Sequence, residues 1–557
     1  MLGADGIRPR PFRDTSEAGS EYRATDRRSG SPEITRRRLL ELGAAAVAAG
    51  ASGSLVDPFA AFGAASRWPS ANLGSAAART VDARQFLPAS QLLTWHRELD
   101  AIGLRATGTP AHEHYVDQLR DRLERVGVGN VAFEPVPLQR WSVRQGAWSL
   151  AVLDGPAAGP SNTASYIPYS GSTPAQGVTG ELVAYDPKNP PPEGFLRGKI
   201  ALFDVPSAAV PFGVFTSVGY RNYDPKGVLD PKAVYDRPWL GQQSVIDALE
   251  ALGAAGAVGM VAVLDLPADA AHGTYYPYDG HIRQVPGLYV DRDAGAQLRQ
   301  VATGGGHVRL TLPATVRKVT TRNLVGVIPG ASSELMLLHS HTDGPNAIED
   351  NGPNAIVAMS QYLARLPRRS LPRSIVVLLS SGHFVGGAGV ESWVARHRAG
   401  SIRRTAGAVT LEHLGALEWT PQPTGPTRLT GDAEPGVFFC PESSALVNPT
   451  YRALTRAKAA PGSVLKPYIA DPKSPDGGTW PAEGETLWAR GGIPTTNYIT
   501  GPTYLLNWGI PTVDKLDVAR MRSEAVSFTQ LLLELSRVPR TKLRRLDLRE
   551  SGGASGI

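Results

Sequence analysis

Three apolar runs, each closed by a polar cluster, constrain this 557-residue chain more than any other feature. They read LMLLHSHTD at 335–343, SIVVLLSSGH at 374–383 and AVTLEHLG at 408–415. A strand with no polar residue alternating through it cannot leave one face in water, so both faces must be covered. Between the first two runs, Ile356, Met359, Leu363 and Leu366 recur at three- and four-residue spacing, which predicts a helix over 353–366. Strands alternating with helices predict an α/β fold: a mixed, largely parallel sheet flanked by helices. Ligands of such sheets gather at the carboxyl ends of the strands, where all three polar clusters fall.

The rest of the chain divides around this unit. A helical pattern begins at Ser90, and a second helix over 113–126 places Tyr115, Leu119, Leu123 and Val126 on one face before Gly127 stops it. The segment VAFEPVPL at 131–138 reads as a strand. From 147 to 313 short β-rich runs dominate, with one helix over 244–252, so a β-rich insert is expected there. The expected boundaries are 85–146 for the first part of the α/β domain, 147–313 for the insert and 314–540 for the remainder. Residues 418–492 are rich in Pro and Gly and weakly periodic, and read as a long excursion over the active face.

Formal net charge is +6, but the arginines crowd the first forty residues and the basic tail at 541–557. With no basic stripe in the mixed middle, nucleic acid is not an expected partner. A single cysteine excludes an intrachain disulfide and a cysteine-based zinc site; Cys440 reads as a buried apolar residue. Residues 1–66 read as a disordered leader with a Tat-type signal, in which Arg36, Arg37 and Arg38 precede a short Ala- and Gly-rich run. That run is too short for a stable span, so the mature chain is expected to lack an integral membrane segment and to be secreted, periplasmic or at the cell surface.

His341, Asp343, Asp350, His383 and Glu412 all fall at strand ends or before the 353–366 helix. Histidine and carboxylates converging on one sheet edge suit a divalent metal such as zinc. Asp343 lies two residues from His341, so on a strand it shares that side and can accept the second imidazole N–H. By the same alternation His413 points away from Glu412, and His339 and His413 both read as packing or supporting residues. Trp480, Trp488, Tyr498, Tyr504 and Trp508 read as loop anchors rather than a substrate pocket.

On these residues the chain resembles the M28 family of zinc peptidases, the bacterial aminopeptidase type. The opening LRATGTPAHEHYVDQLRDRLERVG, the strand TTRNLVGVIPG, the pair HTD and IEDNGPNAIVAM, the strand LEHLG and the closing PTVDKLD carry the resemblance. The insert resembles a protease-associated (PA) domain through GVTGELVAYDP, RGKIALF, ALGAAGAVGMVAV and VPGLYVDRDAG. The resemblance implies His341 as first histidine ligand, Asp350 as bridging aspartate and Glu412 at the position of an aspartate ligand. It places His383 at the general-base position, Phe384 at a ligand position and Asn507 where a late histidine is expected. If His383 takes the ligand position instead, Gly382 falls at the base position.

The expectation is therefore an exported metal-dependent hydrolase that cleaves a peptide or other small amide with a metal-activated water. Zinc is the expected cofactor, with one ion expected rather than two, held by His341, Asp350 and Glu412. His383 would carry the proton, Asp343 would orient His341, and Asn507 would polarise the substrate carbonyl. A rearranged two-metal site drawing on His339, His383 and His413 is a variant of this reading. The alternative is a catalytically degenerate peptidase fold serving as a PA-domain binding protein. Nothing in the sequence indicates an oligomeric state.

Overall fold

The three apolar runs lie side by side as parallel strands. Ser332–His341 pairs with Arg373–Ser380 on one side and Thr405–Leu411 on the other, and Thr495–Thr500 continues the parallel set beyond Thr405–Leu411. Every residue of Arg373–Ser380 and Thr405–Leu411 is buried, as an unbroken apolar run requires. Antiparallel strands extend this centre on both sides into a nine-stranded mixed sheet. Thr315–Ile328 and then Gly129–Ser142 lie beyond Arg373–Ser380. Gly436–Phe439, Gly462–Leu465 and Gly219–Tyr223 lie beyond Thr495–Thr500. In this computed structural model residues 73–549 are described; the leader at 1–66 lies outside them, and so does the end of the basic tail.

Helices cover both faces. Met336 and Leu338 join a core with the helices Ala89–Ile102, Pro110–Arg125, Gly352–Leu363, Ser444–Ala457 and Val518–Leu535. Leu335 and Leu337, one residue out of phase, pack on the opposite face against Val390, Trp393 and Val394 of Ala388–His397. Burying each such leucine stabilises the fold by roughly 1.5–3 kcal/mol. The helix Pro110–Arg125 starts where its sequence dictates: Thr109 accepts a hydrogen bond from the His112 amide, and Pro110 takes the first turn.

The insert forms its own eight-stranded sheet from strands between Ser149 and Thr311. Val178–Tyr185, Ile200–Asp204, Gly259–Val263 and Gly287–Val290 run parallel within it. The predicted helix at 244–252 is Gln242–Ala254, which buries Val245, Ala248, Leu249 and Leu252.

The segment 418–492 differs from its expectation. It supplies two strands of the large sheet and the 14-residue helix Ser444–Ala457. Leu446, Val447, Thr450, Ala453, Leu454 and Ala457 give that helix a buried face, but Pro449 inside it masks the pattern. The aromatics of this region and beyond serve as anchors: Trp480, Trp488, Tyr498, Tyr504 and Trp508 are buried, and each donates from its ring N–H or hydroxyl. Cys440 is buried as expected. Among the described residues no helix is long and apolar enough to cross a membrane.

Candidate metal centre

The parallel register sets His341 beside Ser380, and Glu412 and His383 lie just past the ends of the neighbouring strands. The His341 Nδ1 sits 3.0 Å from the Asp343 backbone oxygen. A carbonyl only accepts, so Nδ1 carries the hydrogen and Nε2 keeps its lone pair. His413 has φ 56°, a left-handed backbone that swings its ring back toward His341. Its Nδ1 is 2.6 Å from the Thr500 carbonyl oxygen. His383 places Nδ1 2.6 Å from Glu483 Oε2, and its ring stacks on His341 with centroids 4.3 Å apart. Three imidazoles are thus anchored through Nδ1 and present Nε2 to one space, the arrangement in which outer partners orient metal-binding histidines.

Two carboxylates complete that space. Glu349 Oε1 lies 3.6 Å from His341 Nε2, 3.6 Å from His413 Nε2 and 3.8 Å from His383 Nε2. Glu412 Oε2 lies 3.7 Å from His341 Nε2 and 3.9 Å from His413 Nε2. Asn497 Nδ2 (2.9 Å) and the Glu483 amide (3.3 Å) donate to the other Glu412 oxygen. Spacings of this size match neighbouring ligand atoms around one ion with bonds of about 2.0–2.2 Å. The donor atoms of His341, Glu349 and His383, and likewise those of His341, Glu412 and His413, all lie within 4.8 Å of one another. His341 Nε2 and His413 Nε2, which both face Glu349 Oε1, are buried without a hydrogen-bond partner among the described residues, and so is Glu349 Oε2. Buried polar atoms are rarely left so, and this nitrogen–oxygen donor set fits a divalent metal such as zinc.

Burial dominates the electrostatics of the cluster. It holds His341 well below the usual imidazole value and takes His413 down to about 3, so both favour the neutral form, the one in which imidazole can bind a metal. Burial likewise raises Glu349 well above the carboxylate range and pushes Glu412 up to about 7. His383 goes the other way. Burial opposes its charge, but Glu483 by charge and hydrogen bond, with Glu412 and Asp343, carries it up to about 9. Glu483 is itself held by Ser380 Oγ at 2.8 Å, and Ser380 contacts His339 Nε2 at 3.0 Å.

Of the residues singled out from sequence, His341, Glu412 and His383 come together. Asp350 is elsewhere: both its oxygens accept from Arg105, at 2.6 Å each, in a fully buried pair. The preceding Glu349 faces the histidines in its place. The Asp343 carboxylate does not meet His341, which uses the Asp343 backbone oxygen instead. It accepts from Thr107 Oγ1 (2.5 Å) and from the amides of His383 (3.2 Å) and Phe384 (3.0 Å), so it fixes the turn carrying His383. The Asn507 amide donates to the Ala270 and His272 carbonyls, which fastens the insert to the main body. His339 is a supporting residue between Thr410 and Ser380.

Glu349 and Glu483 escaped the sequence reading, and His413 entered it only as a supporting residue or as a spare donor of a rearranged site. The acidic pair at 349–350 offered two carboxylates one residue apart, and only the turn decides which faces the histidines. Strand alternation put His413 on the far side, but the strand ends at Leu411 and the positive φ reverses the parity. Glu483 arrives from the 418–492 segment, which carried no readable pattern.

No protein-family model matches the sequence, and no curated protein matches it. Solved structures do match the fold. A peptidase M28 precursor from Shewanella amazonensis aligns with TM-score 0.58 at 17% identity, over 81% of this chain and 96% of that one. A zinc aminopeptidase from Bacillus subtilis aligns with TM-score 0.56 at 14% identity, over 82% and 97%. An aminopeptidase from Aneurinibacillus sp. strain AM-1 aligns with TM-score 0.53 at 15% identity, over 81% and 95%. The chain therefore has a fold like that of M28 zinc aminopeptidases.

Proposed function

We propose that this protein is an exported metal-dependent hydrolase of the aminopeptidase type, cleaving a peptide or other small amide bond at a single zinc ion. One observation carries the reading: three imidazoles fixed through Nδ1 aim Nε2 at two buried carboxylates, and the orphaned atoms among them lack any protein partner. His341, His413 and Glu412 would hold the ion, with Glu349 as a neighbouring carboxylate 3.6 Å from both histidines, so that one position stays open for water. When bound, such an ion supplies a Lewis acid for the scissile carbonyl and lowers the pKa of a water to about 7. The structural neighbours, a zinc aminopeptidase and an M28 peptidase, support the same class.

The remaining residues carry protons and position groups. His383 Nε2 receives the proton of the attacking water and delivers it to the leaving nitrogen, while Glu483 on Nδ1 stabilises the imidazolium between the two events. A cation bound beside the ring would oppose its charge and lower its pKa, which favours the neutral base before proton transfer. The His383 side chain is 13% exposed while its partner Glu483 is 2% exposed, so substrate approaches from the His383 side. There the insert places Tyr278, with its ring 5.3 Å from His383. The insert acts as a PA-type domain that shapes this approach, and the leader at 1–66 directs export by the Tat route.

The test is metal content together with hydrolysis. Purified protein is expected to carry about one equivalent of zinc, lost on His341→Ala, and to hydrolyse members of a panel of aminoacyl amides and N-acyl amino acids. Failure to take up metal under any loading condition would sink the reading.

A further inference from the structure

Resting on that single-ion reading, we infer that Arg105 is a built-in cation that limits the centre to one metal ion. Once His341, His413 and Glu412 are committed, two donors remain near them: Glu349, whose Oε2 has no partner among the described residues, and His383 Nε2. A second ion needs a third donor, and the structure offers one close by. A Cβ at Gly344 would lie 2.3 Å from Glu349 Oε2 and 3.0 Å from the Asp350 carboxyl carbon, so the two carboxylates flank the same small space.

Asp350 is withheld from that space. Its two oxygens accept Nε–H and Nη2–H of Arg105 at 2.6 Å each, and neither side chain has any solvent exposure. The fork is fixed in turn, because Nη1 donates to the carbonyls of Leu99 and Gly103. The geometry is bidentate and planar, the match that arginine makes with a carboxylate and lysine does not. Breaking it to free Asp350 would strand a guanidinium in the interior, which is strongly unfavourable. The same positive charge neutralises that of Asp350, so one carboxylate charge fewer is left beside Glu349 to attract a second cation. Arg105 therefore acts as a positioning residue: it removes a ligand and supplies a charge.

The experiment counts bound metal in the full mature chain after dialysis against rising Zn²⁺, with Co²⁺ absorption spectra as a second readout. Wild type is expected to saturate at one equivalent, and Arg105→Met, which keeps the volume without the charge, at two. In the double variant Arg105→Met/Asp350→Asn the freed donor is gone, and the count is expected to return to one. Arg105→Lys, which restores the charge, is expected to stay near one. A folded Arg105→Met variant that stops at one equivalent overturns the inference. So does a wild-type protein that binds two, a result needing no variant at all and leaving metal-dependent hydrolysis intact. A wild-type protein that binds none defeats the functional reading itself.

Discussion

The protein contains two sets of parallel strands, and their carboxyl ends have opposite characters. In the large sheet those ends carry His341, Glu412 and His413, all buried, and the partly buried His383; His341 Nε2 and His413 Nε2 have no hydrogen-bond partner among the described residues. In the insert, the ends of Ile200–Asp204 and Gly259–Val263 carry acids paired at the surface. Asp204 meets Arg299 at 2.6 Å with the two side chains 64% and 46% exposed, and Asp265 meets Arg292 at 2.5 Å. Topology places polar groups at strand ends in both sheets. Only in the first are they largely desolvated, with two imidazole nitrogens unpartnered among the described residues, so the chemistry follows from unmet hydrogen-bonding capacity rather than from position.

That contrast can be broken or sharpened by substitution. The largest effect is expected for His413→Ala, which removes a central Nε2 and should lower zinc affinity at least about 100-fold, read by competition with a chelating dye. Glu483→Gln leaves every proposed ligand in place but loosens His383. Turnover should fall about 10- to 100-fold with the zinc content unchanged, a split that steady-state kinetics and metal analysis can resolve. Gly344→Ala comes next, since its methyl would press on Glu349 Oε2 at 2.3 Å. An overpacked site of this kind costs about 1–3 kcal/mol, and the loss should appear in zinc affinity by calorimetry. Arg299→Ala, at the strand ends of the insert, should change unfolding stability by less than about 1 kcal/mol and zinc binding not at all. A large metal effect from this last change would erase the distinction between the two sheets.

Much of the first sheet was legible because apolar runs of 335–343, 374–383 and 408–415 leave a chain few choices. Burial on both faces, helices between, and polar residues at the ends all follow from local pattern. The site was only partly legible, because its deciding features are not periodic. Which of Glu349 and Asp350 faces the histidines depends on Arg105, some 245 residues away. The direction of His413 depends on a single left-handed residue after the strand has ended. Glu483 and the strands Gly436–Phe439 and Gly462–Leu465 come from a stretch where Pro and Gly hide an ordinary helix and sheet. Pairing between segments distant in sequence leaves no mark on either segment alone.

The strand Gly219–Tyr223 crosses the boundary between the two sheets. It belongs by sequence to the insert, yet it hydrogen-bonds Gly462–Leu465 at the rim of the other sheet. Nor is it the sole stitch, for Trp508 and Gly273 exchange backbone contacts across the same divide. The insert is thus interleaved with its host instead of hung from it. Excising 147–313 would strip an outer strand from the host as well, and transplanting the segment into another scaffold would carry an orphan strand along. Swapping such modules between relatives would succeed only if the recipient's rim were exchanged too.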